Sequence, residues 1–128
     1  MRYLLDTCTF VWLCAEPSKL SKNAAALLDD ESATVLVSNV TALEVVLKWS
    51  AGKLRLPEPP RRWFERQLQA WALESVPLSR DEMYRASELP MHHSDPFDRL
   101  LVATALNHDA SIVTPDELIH AYPVAWSW

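Results

Sequence analysis

Residues 95–116 read DPFDRLLVATALNHDASIVTPD, and three elements follow one another within them. Asp95-Pro96-Phe97-Asp98 has the form of a helix start: an acid able to cap, a proline at the first helical position and an acid in the first turn. Residues 98–107 then run apolar at helical spacing. Ser111-Ile112-Val113 is a short apolar run of strand type. Thr114-Pro115-Asp116-Glu117 has the capping-box pattern, Thr with Glu three positions later and Pro just inside, so it predicts a further helix capped by Thr114. Helix, strand and helix in so short a span are half of a parallel βαβ unit. Asp98 then opens a helix and Asp116 lies just past a strand. Binding sites in parallel α/β sheets gather at the carboxyl ends of the strands, so what else arrives there decides the chemistry.

Before this stretch the chain reads as an alternation of strands and helices. Residues 2–5 are a short buried strand ended by Asp6-Thr7, and residues 7–15 are an apolar helix stopped by Pro17. Ser21 opens a second helix. Thr34-Val35-Leu36-Val37 is a β-branched strand, after which Ser38 or Asn39 caps a third helix that Gly52 closes. On that helix Val40, Leu43 and Leu47 form the apolar stripe, with Glu44 at its edge and Lys48 one turn on. A stiff connector, Leu56-Pro57-Glu58-Pro59-Pro60, leads to an amphipathic helix over 61–73. A weak strand over 74–78 follows, then a fifth helix opened by the capping box Ser79-Arg80-Asp81-Glu82 and ended by Pro90. A last strand lies near Val124-Ala125-Trp126. No repeat or linker divides the chain, so the reading is a single α/β domain over 1–128: one central parallel sheet of about five strands with helices on both faces.

Composition narrows the function. The chain of 128 residues is long enough to bury a real core. Its single glycine leaves no room for a glycine-rich phosphate loop, which excludes the nucleotide-binding classes built on one. No apolar run reaches membrane-spanning length and the N-terminus has no signal-peptide pattern, so a cytoplasmic, membrane-free protein is expected. Cys8 and Cys14 share one helix about 9 Å apart along its axis, too far for a disulfide, and read as reduced thiols. The net charge of −5 points away from nucleic acid, but its distribution does not. Residues 48–66 hold six of the twelve bases (Lys48, Lys53, Arg55, Arg61, Arg62, Arg66) and only two acids, leaving six bases against fifteen acids elsewhere. That is the pattern of a phosphate-contacting flank beside an acidic pocket, and equally of a solvated helix face.

Four acids stand at comparable points of the topology. Asp6 and Asp116 follow strands, Glu44 sits early in the helix after the second strand, and Asp98 starts the helix before the fourth. Each has an ordinary explanation alone: helix capping or the helix dipole for the aspartates, a pair with Lys48 for Glu44. Together, right-handed crossovers bring all four to one sheet edge. Carboxylates crowded there repel, and a divalent cation that prefers oxygen ligands resolves the crowding. A carboxylate-held cation can polarise a phosphate and activate water.

LLDT at 4–7, Glu44 after the second strand, HSDPFDRLLVATA from His93 to Ala105, and VTPD at 113–116 together resemble the PIN-domain ribonucleases, most closely the VapC toxins of type II toxin–antitoxin pairs. The resemblance covers essentially the whole chain and implies a PIN-like three-layer sandwich. It implies an endoribonuclease dependent on Mg²⁺, with Mn²⁺ able to substitute, that cleaves RNA by water attack on phosphorus. Asp6, Asp98 and Asp116 would hold the metal, and Glu44 would either join them or orient the water. Asp95 and Thr114 fall at flanking polar positions, and Arg99 and His93 match characteristic residues. Position 8 is Cys, where related toxins often show another residue. A cognate VapB antitoxin and toxin dimers are implied as partners, and Lys48, Lys53, Arg55, Arg61 and Arg62 as contacts to the RNA backbone.

Two other classes compete. An aspartyl-phosphate phosphatase also places an Asp after its first strand but wants a second Asp two residues on, where this chain has Cys8. A non-catalytic PIN-like module binding RNA or protein is the other, and the presence of all four acids argues against it. Of six tryptophans, Trp12, Trp49, Trp63 and Trp71 lie on predicted helices and read as core, with Trp12, Trp49 and Trp63 alternatively lining a groove for a partner helix. His92 and His93 read as loop residues rather than ligands, because hard cations do not favour imidazole.

Overall fold

The computed structural model describes residues 1–128 as a five-stranded, wholly parallel sheet with helices on both faces. In chain order the elements are β1 (Arg2–Leu5), α1 (Thr7–Ala15), α2 (Lys22–Asp29), β2 (Thr34–Ser38), α3 (Asn39–Ser50), α4 (Pro60–Ala70), β3 (Glu74–Val76), α5 (Arg80–Glu88), α6 (Pro96–Asn107), β4 (Ser111–Val113), α7 (Glu117–His120) and β5 (Trp126–Ser127). The strands lie in the order β3-β2-β1-β4-β5, so the chain starts at the centre, winds outward to one side and then crosses to the other. That reversal makes a crevice at the carboxyl ends of β1 and β4, the usual place for a site in an open parallel sheet.

The strands are buried on both faces and alternate between two cores. Leu4, Leu36 and Ile112 point to one side and pack with Leu101, Val102, Ala105 and Ile119 of α6 and α7. Tyr3, Leu5, Val35, Val37 and Val113 point to the other and pack with Phe10, Leu13, Val45, Trp63 and Phe64 of α1, α3 and α4. Phe10 meets the Trp63 ring edge-on, centroids 5.8 Å apart. Of the four tryptophans on helices, Trp63 is core, Trp12 is half-buried against Trp128, and Trp49 and Trp71 are exposed.

Two local expectations are corrected. On α3 the inward residues are Val40, Thr41, Glu44 and Val45, whereas Leu43 and Leu47 are 49% and 48% exposed. The helix turns its best polar residues toward the sheet edge and its leucines outward, because Thr41 and Glu44 find partners inside. The helix after β4 does not start on Thr114. It starts on Asp116, whose carboxylate accepts the Leu118 N–H at 2.9 Å, while the Thr114 oxygen accepts the Asp116 N–H at 3.0 Å, ahead of the helix. The predicted strand at 124–126 lies slightly later, at Trp126–Ser127. The Ser79–Glu82 capping box and the Asp95 cap on α6 form as read, and of Ser38 and Asn39 it is Ser38 that caps α3.

Three helices end alike. The Lys53 N–H bonds back to Lys48 O, Leu73 to Leu68 O and Ala110 to Ala105 O, each across a left-handed residue: Gly52 (φ 72°), Ala72 (φ 51°) and Asp109 (φ 50°). Only the first is glycine. A Cβ costs roughly 1–2 kcal/mol in that conformation, partly offset by glycine's larger unfolded-state entropy. Ala72→Gly is therefore expected to stabilise by about 0.5–1 kcal/mol, a rise of a few degrees in a thermal melt. An unchanged or lowered midpoint counts against this account.

Candidate metal centre

The four acids predicted to converge do so. Asp6, Glu44, Asp98 and Asp116 line one cavity of about 180 Å³, with Asp95 and Lys48 at its wall. Asp6, Asp98 and Asp116 are delivered by the ends of elements and Glu44 by the middle of α3. Asp6 terminates β1 and caps α1, accepting the Thr9 N–H at 2.8 Å on Oδ1. Its Oδ2 accepts the Thr114 hydroxyl at 2.5 Å. Thr9 in turn donates its hydroxyl to Val113 O at 2.9 Å, tying α1 to the end of β4. Glu44 rises from α3 and accepts the Thr7 hydroxyl at 2.6 Å on Oε1, with Thr7 and Thr41 hydroxyls 3.0 Å apart. Asp95 accepts the Phe97 N–H at 2.9 Å and caps α6, which places Asp98 in its first turn facing the cavity.

Burial and mutual repulsion act on these groups in one direction. Burial raises the Asp98 carboxyl to about 7, with the charges of Asp95 and Glu44 adding and His93 opposing. Burial also raises Asp6, against the Thr114 and Thr9 hydrogen bonds, and the Asp116 charge adds to it. It raises Glu44 against the Thr7 hydroxyl and the Lys48 ammonium, while Asp95 and Asp6 add. Two buried acids, Asp6 and Glu44, and the half-buried Asp98 resist ionising together and form a set that an external positive charge would relieve. The donors are all carboxylate oxygens, which suits a hard divalent cation. The residues present thus fit such a group.

Of the flanking polar positions, Thr114 contacts the acids and Arg99 does not. Thr114 supports the site directly, through Asp6 on one side and the Asp116 N–H, which it accepts at 3.0 Å, on the other. Arg99 does not reach the acids. Its buried guanidinium donates to Ala86 O at 2.8 Å, Leu89 O at 3.0 Å, Pro90 O at 3.0 Å and the Tyr122 hydroxyl at 3.2 Å, pinning the end of α5 and the loop that follows.

His93 was expected in a loop and is in one, but it is buried and inside the site. Its Nε2 lies 2.8 Å from Asp116 Oδ2 and 3.1 Å from Asp98 Oδ2. Thr7, Thr41 and Tyr122 also belong to the support; Thr7 reads in sequence only as the end of the first strand and of LLDT, and Thr41 and Tyr122 carry no signal there, because each acts through a partner at least 23 positions away. Of the basic flank, Lys48 borders the cavity, while Lys53, Arg55, Arg61 and Arg62 are exposed on the connector and α4. Cys8 and Cys14 are free and half-buried, and burial pushes both thiols up to about 12. No helix is long and apolar enough to cross a membrane.

A family model described as PIN domain matches residues 3–124. A curated relative, Ribonuclease VapC22 of Mycobacterium tuberculosis (strain ATCC 25618 / H37Rv), is 30% identical over 122 residues, covering 93% of this chain and 90% of the relative. Among solved structures, VapBC2 from Rickettsia felis bound to a DNA fragment from its promoter superposes with a TM-score of 0.74 at 18% identity, covering 99% of this chain and 98% of that one. FitAcB from Neisseria gonorrhoeae superposes with a TM-score of 0.62 at 22% identity, covering 97% and 95%. At these identities the solved structures speak for the fold.

Proposed function

The chain belongs to the PIN-domain family, within its VapC group, and on that premise we propose that it is a divalent-metal-dependent endoribonuclease, the toxin of a toxin–antitoxin pair. The observation that carries the reading is the convergence of four carboxylates from four separate elements on one cavity, three of them held against ionisation. Asp6, Asp98 and Asp116 would hold the cation, Mg²⁺ by preference and Mn²⁺ in its place. When bound, such a cation lowers the pKa of a water and draws charge from a phosphoryl oxygen.

The chain's own groups do the rest. Thr114 and the Thr9 N–H fix both oxygens of Asp6, so that carboxylate cannot swing. Thr7 occupies Glu44 Oε1, which leaves the second oxygen of Glu44 to bind the cation or to orient the attacking water. Lys48 at the cavity wall is placed to neutralise a substrate phosphate, and the exposed Lys53, Arg55, Arg61 and Arg62 would carry the strand away from the site, giving a salt-dependent affinity. Leu43, Val46, Leu47 and Trp49 leave an apolar face of α3 uncovered, and a VapB-type antitoxin is a partner that would bury it. A non-catalytic module is the weaker reading, since binding alone gives no reason to bury acids against their ionisation.

The test is to incubate purified protein with total RNA in Mg²⁺, in EDTA, and in EDTA followed by excess Mn²⁺, and to map new RNA ends. Discrete ends that appear with metal, vanish with EDTA and return with Mn²⁺ are expected. Identical RNA in all three lanes would sink the nuclease reading.

A further inference from the structure

His93 is the residue the proposed chemistry leaves without a task, yet it is more deeply buried than Asp98 and Asp116 beside it. Its ring is buried. Its backbone N–H donates to the Tyr122 hydroxyl at 2.9 Å, and that hydroxyl also accepts from Arg99 at 3.2 Å. Arg99 further anchors the loop by the carbonyls of Leu89 and Pro90. The ring spans two elements that are otherwise unconnected at this point, since Asp98 belongs to α6 and Asp116 to the turn after β4.

An imidazole so placed has two possible roles: to ligate a cation through Nε2, or to donate from it. The opposite ring nitrogen decides between them. Nδ1 accepts the Asp95 N–H at 3.1 Å, so it carries no proton, and the neutral ring has its hydrogen on Nε2. An Nε2 that bears hydrogen has no lone pair for a cation, and as a neutral ring it makes no ion pair with the carboxylates. It does have a hydrogen directed at two carboxylate oxygens, 2.8 Å and 3.1 Å away.

We propose that His93 is a positioning residue: its Nε2–H is shared between Asp98 Oδ2 and Asp116 Oδ2 and sets the spacing of these two carboxylates for a divalent cation. The Nε2 and the two oxygens lie within 4.8 Å of one another, close enough that two unbridged carboxylates would push apart. Each oxygen keeps a further lone pair for the cation. The Asp95 N–H sets the tautomer, Tyr122 and Arg99 set the ring's place, and Asp95 itself is fixed as the cap of α6. This inference rests on the metal site proposed above.

Two measurements test it. In protein labelled with ¹⁵N-histidine, His93 should show the Nε2–H tautomer without metal and keep it at saturating Mg²⁺; a switch to the Nδ1–H tautomer on adding Mg²⁺ would make it a ligand and overturn the proposal. By calorimetry with Mn²⁺ alone, His93→Ala should bind roughly 10–100-fold more weakly than the parent, the usual loss when a group that orients a ligand is removed, while His93→Gln, which keeps an N–H at the same reach, recovers most of it. His93→Ala binding as the parent does, or His93→Gln no better than His93→Ala, would overturn it. Were His93→Ala not to fold, the tautomer of the parent still decides. A parent that binds no Mn²⁺ would bring down the metal reading itself, a result distinct from a parent that binds and a variant that binds equally.

Discussion

Asp98→Asn is expected to remove RNA cleavage by about a thousandfold or more, some 4 kcal/mol of transition-state stabilisation, while making the metal-free protein more stable above neutral pH. The two effects have one cause. In the parent, burial and the Asp95 and Glu44 charges raise the Asp98 carboxyl to about 7, far above its unfolded value near 4. Below that unfolded value the group is protonated in both states and costs nothing. Between the two values the native state holds more protons, so stability falls as pH rises, and above about 7 the full cost of the buried charge is felt. Asn has nearly the same shape, keeps an oxygen for the His93 N–H, and never ionises. The parent in EDTA should therefore melt lower at pH 8 than at pH 5, and Asp98→Asn should show a shallower decline.

Metal reverses the comparison. A cation at ten times its dissociation constant stabilises the parent by about 1.4 kcal/mol, several degrees for a chain of this length, and more at pH 8 than at pH 6 because the ionised ligand is the one that binds. Asp98→Asn should gain little at either pH. A variant that retains more than a tenth of the parent's cleavage, or that melts below it in EDTA at pH 8, is incompatible with Asp98 as a crowded ligand.

How much of this was readable beforehand depends on the range of the interaction. Asp6, Asp98 and Asp116 are legible because each stands at a strand or helix boundary, and a parallel sheet brings such boundaries to one edge whatever the side-chain details; Glu44 reaches that edge from the middle of the helix that follows β2. Ser79, Ser38 and Asp95 were found as caps because capping is decided within three residues. What failed was decided at long range. Thr114 reads locally as a cap; its hydroxyl donates to Asp6 across 108 positions of sequence, its oxygen accepts the Asp116 N–H, and the helix starts on Asp116. Leu43 and Leu47 read as core at helical spacing. They lie outside because Thr7 and Thr41 make a polar seat for Glu44 on the opposite side of α3. A hard cation's preference for oxygen speaks against His93 as a ligand and says nothing of a donor placed between two ligands.

The second large effect concerns a residue that touches none of the acids. Arg99→Met is expected to destabilise by about 3 kcal/mol, on the order of 10 °C, with the metal-free protein showing the same loss as the metal-bound one. The guanidinium has no carboxylate partner: its acceptors are the carbonyls of Ala86, Leu89, Pro90 and, at 3.5 Å, His93, the Tyr122 hydroxyl and the Met91 sulfur. Met fills a similar volume and satisfies none of them. Each orphaned acceptor costs about 1–3 kcal/mol where water cannot replace the donor. Leu89 is half-buried and Pro90 exposed, so solvent recovers part, and the total stays well below the sum. Arg99→Lys should fall between the two, since one ammonium cannot span the fork that reaches both Ala86 and Pro90. Because the loss is of hydrogen bonds and not of an ion pair, raising the salt concentration should leave the difference between parent and Arg99→Met unchanged. A shift below 3 °C, or one that shrinks markedly in high salt, would mean that Arg99 acts through long-range charge and not by holding the loop that carries His93.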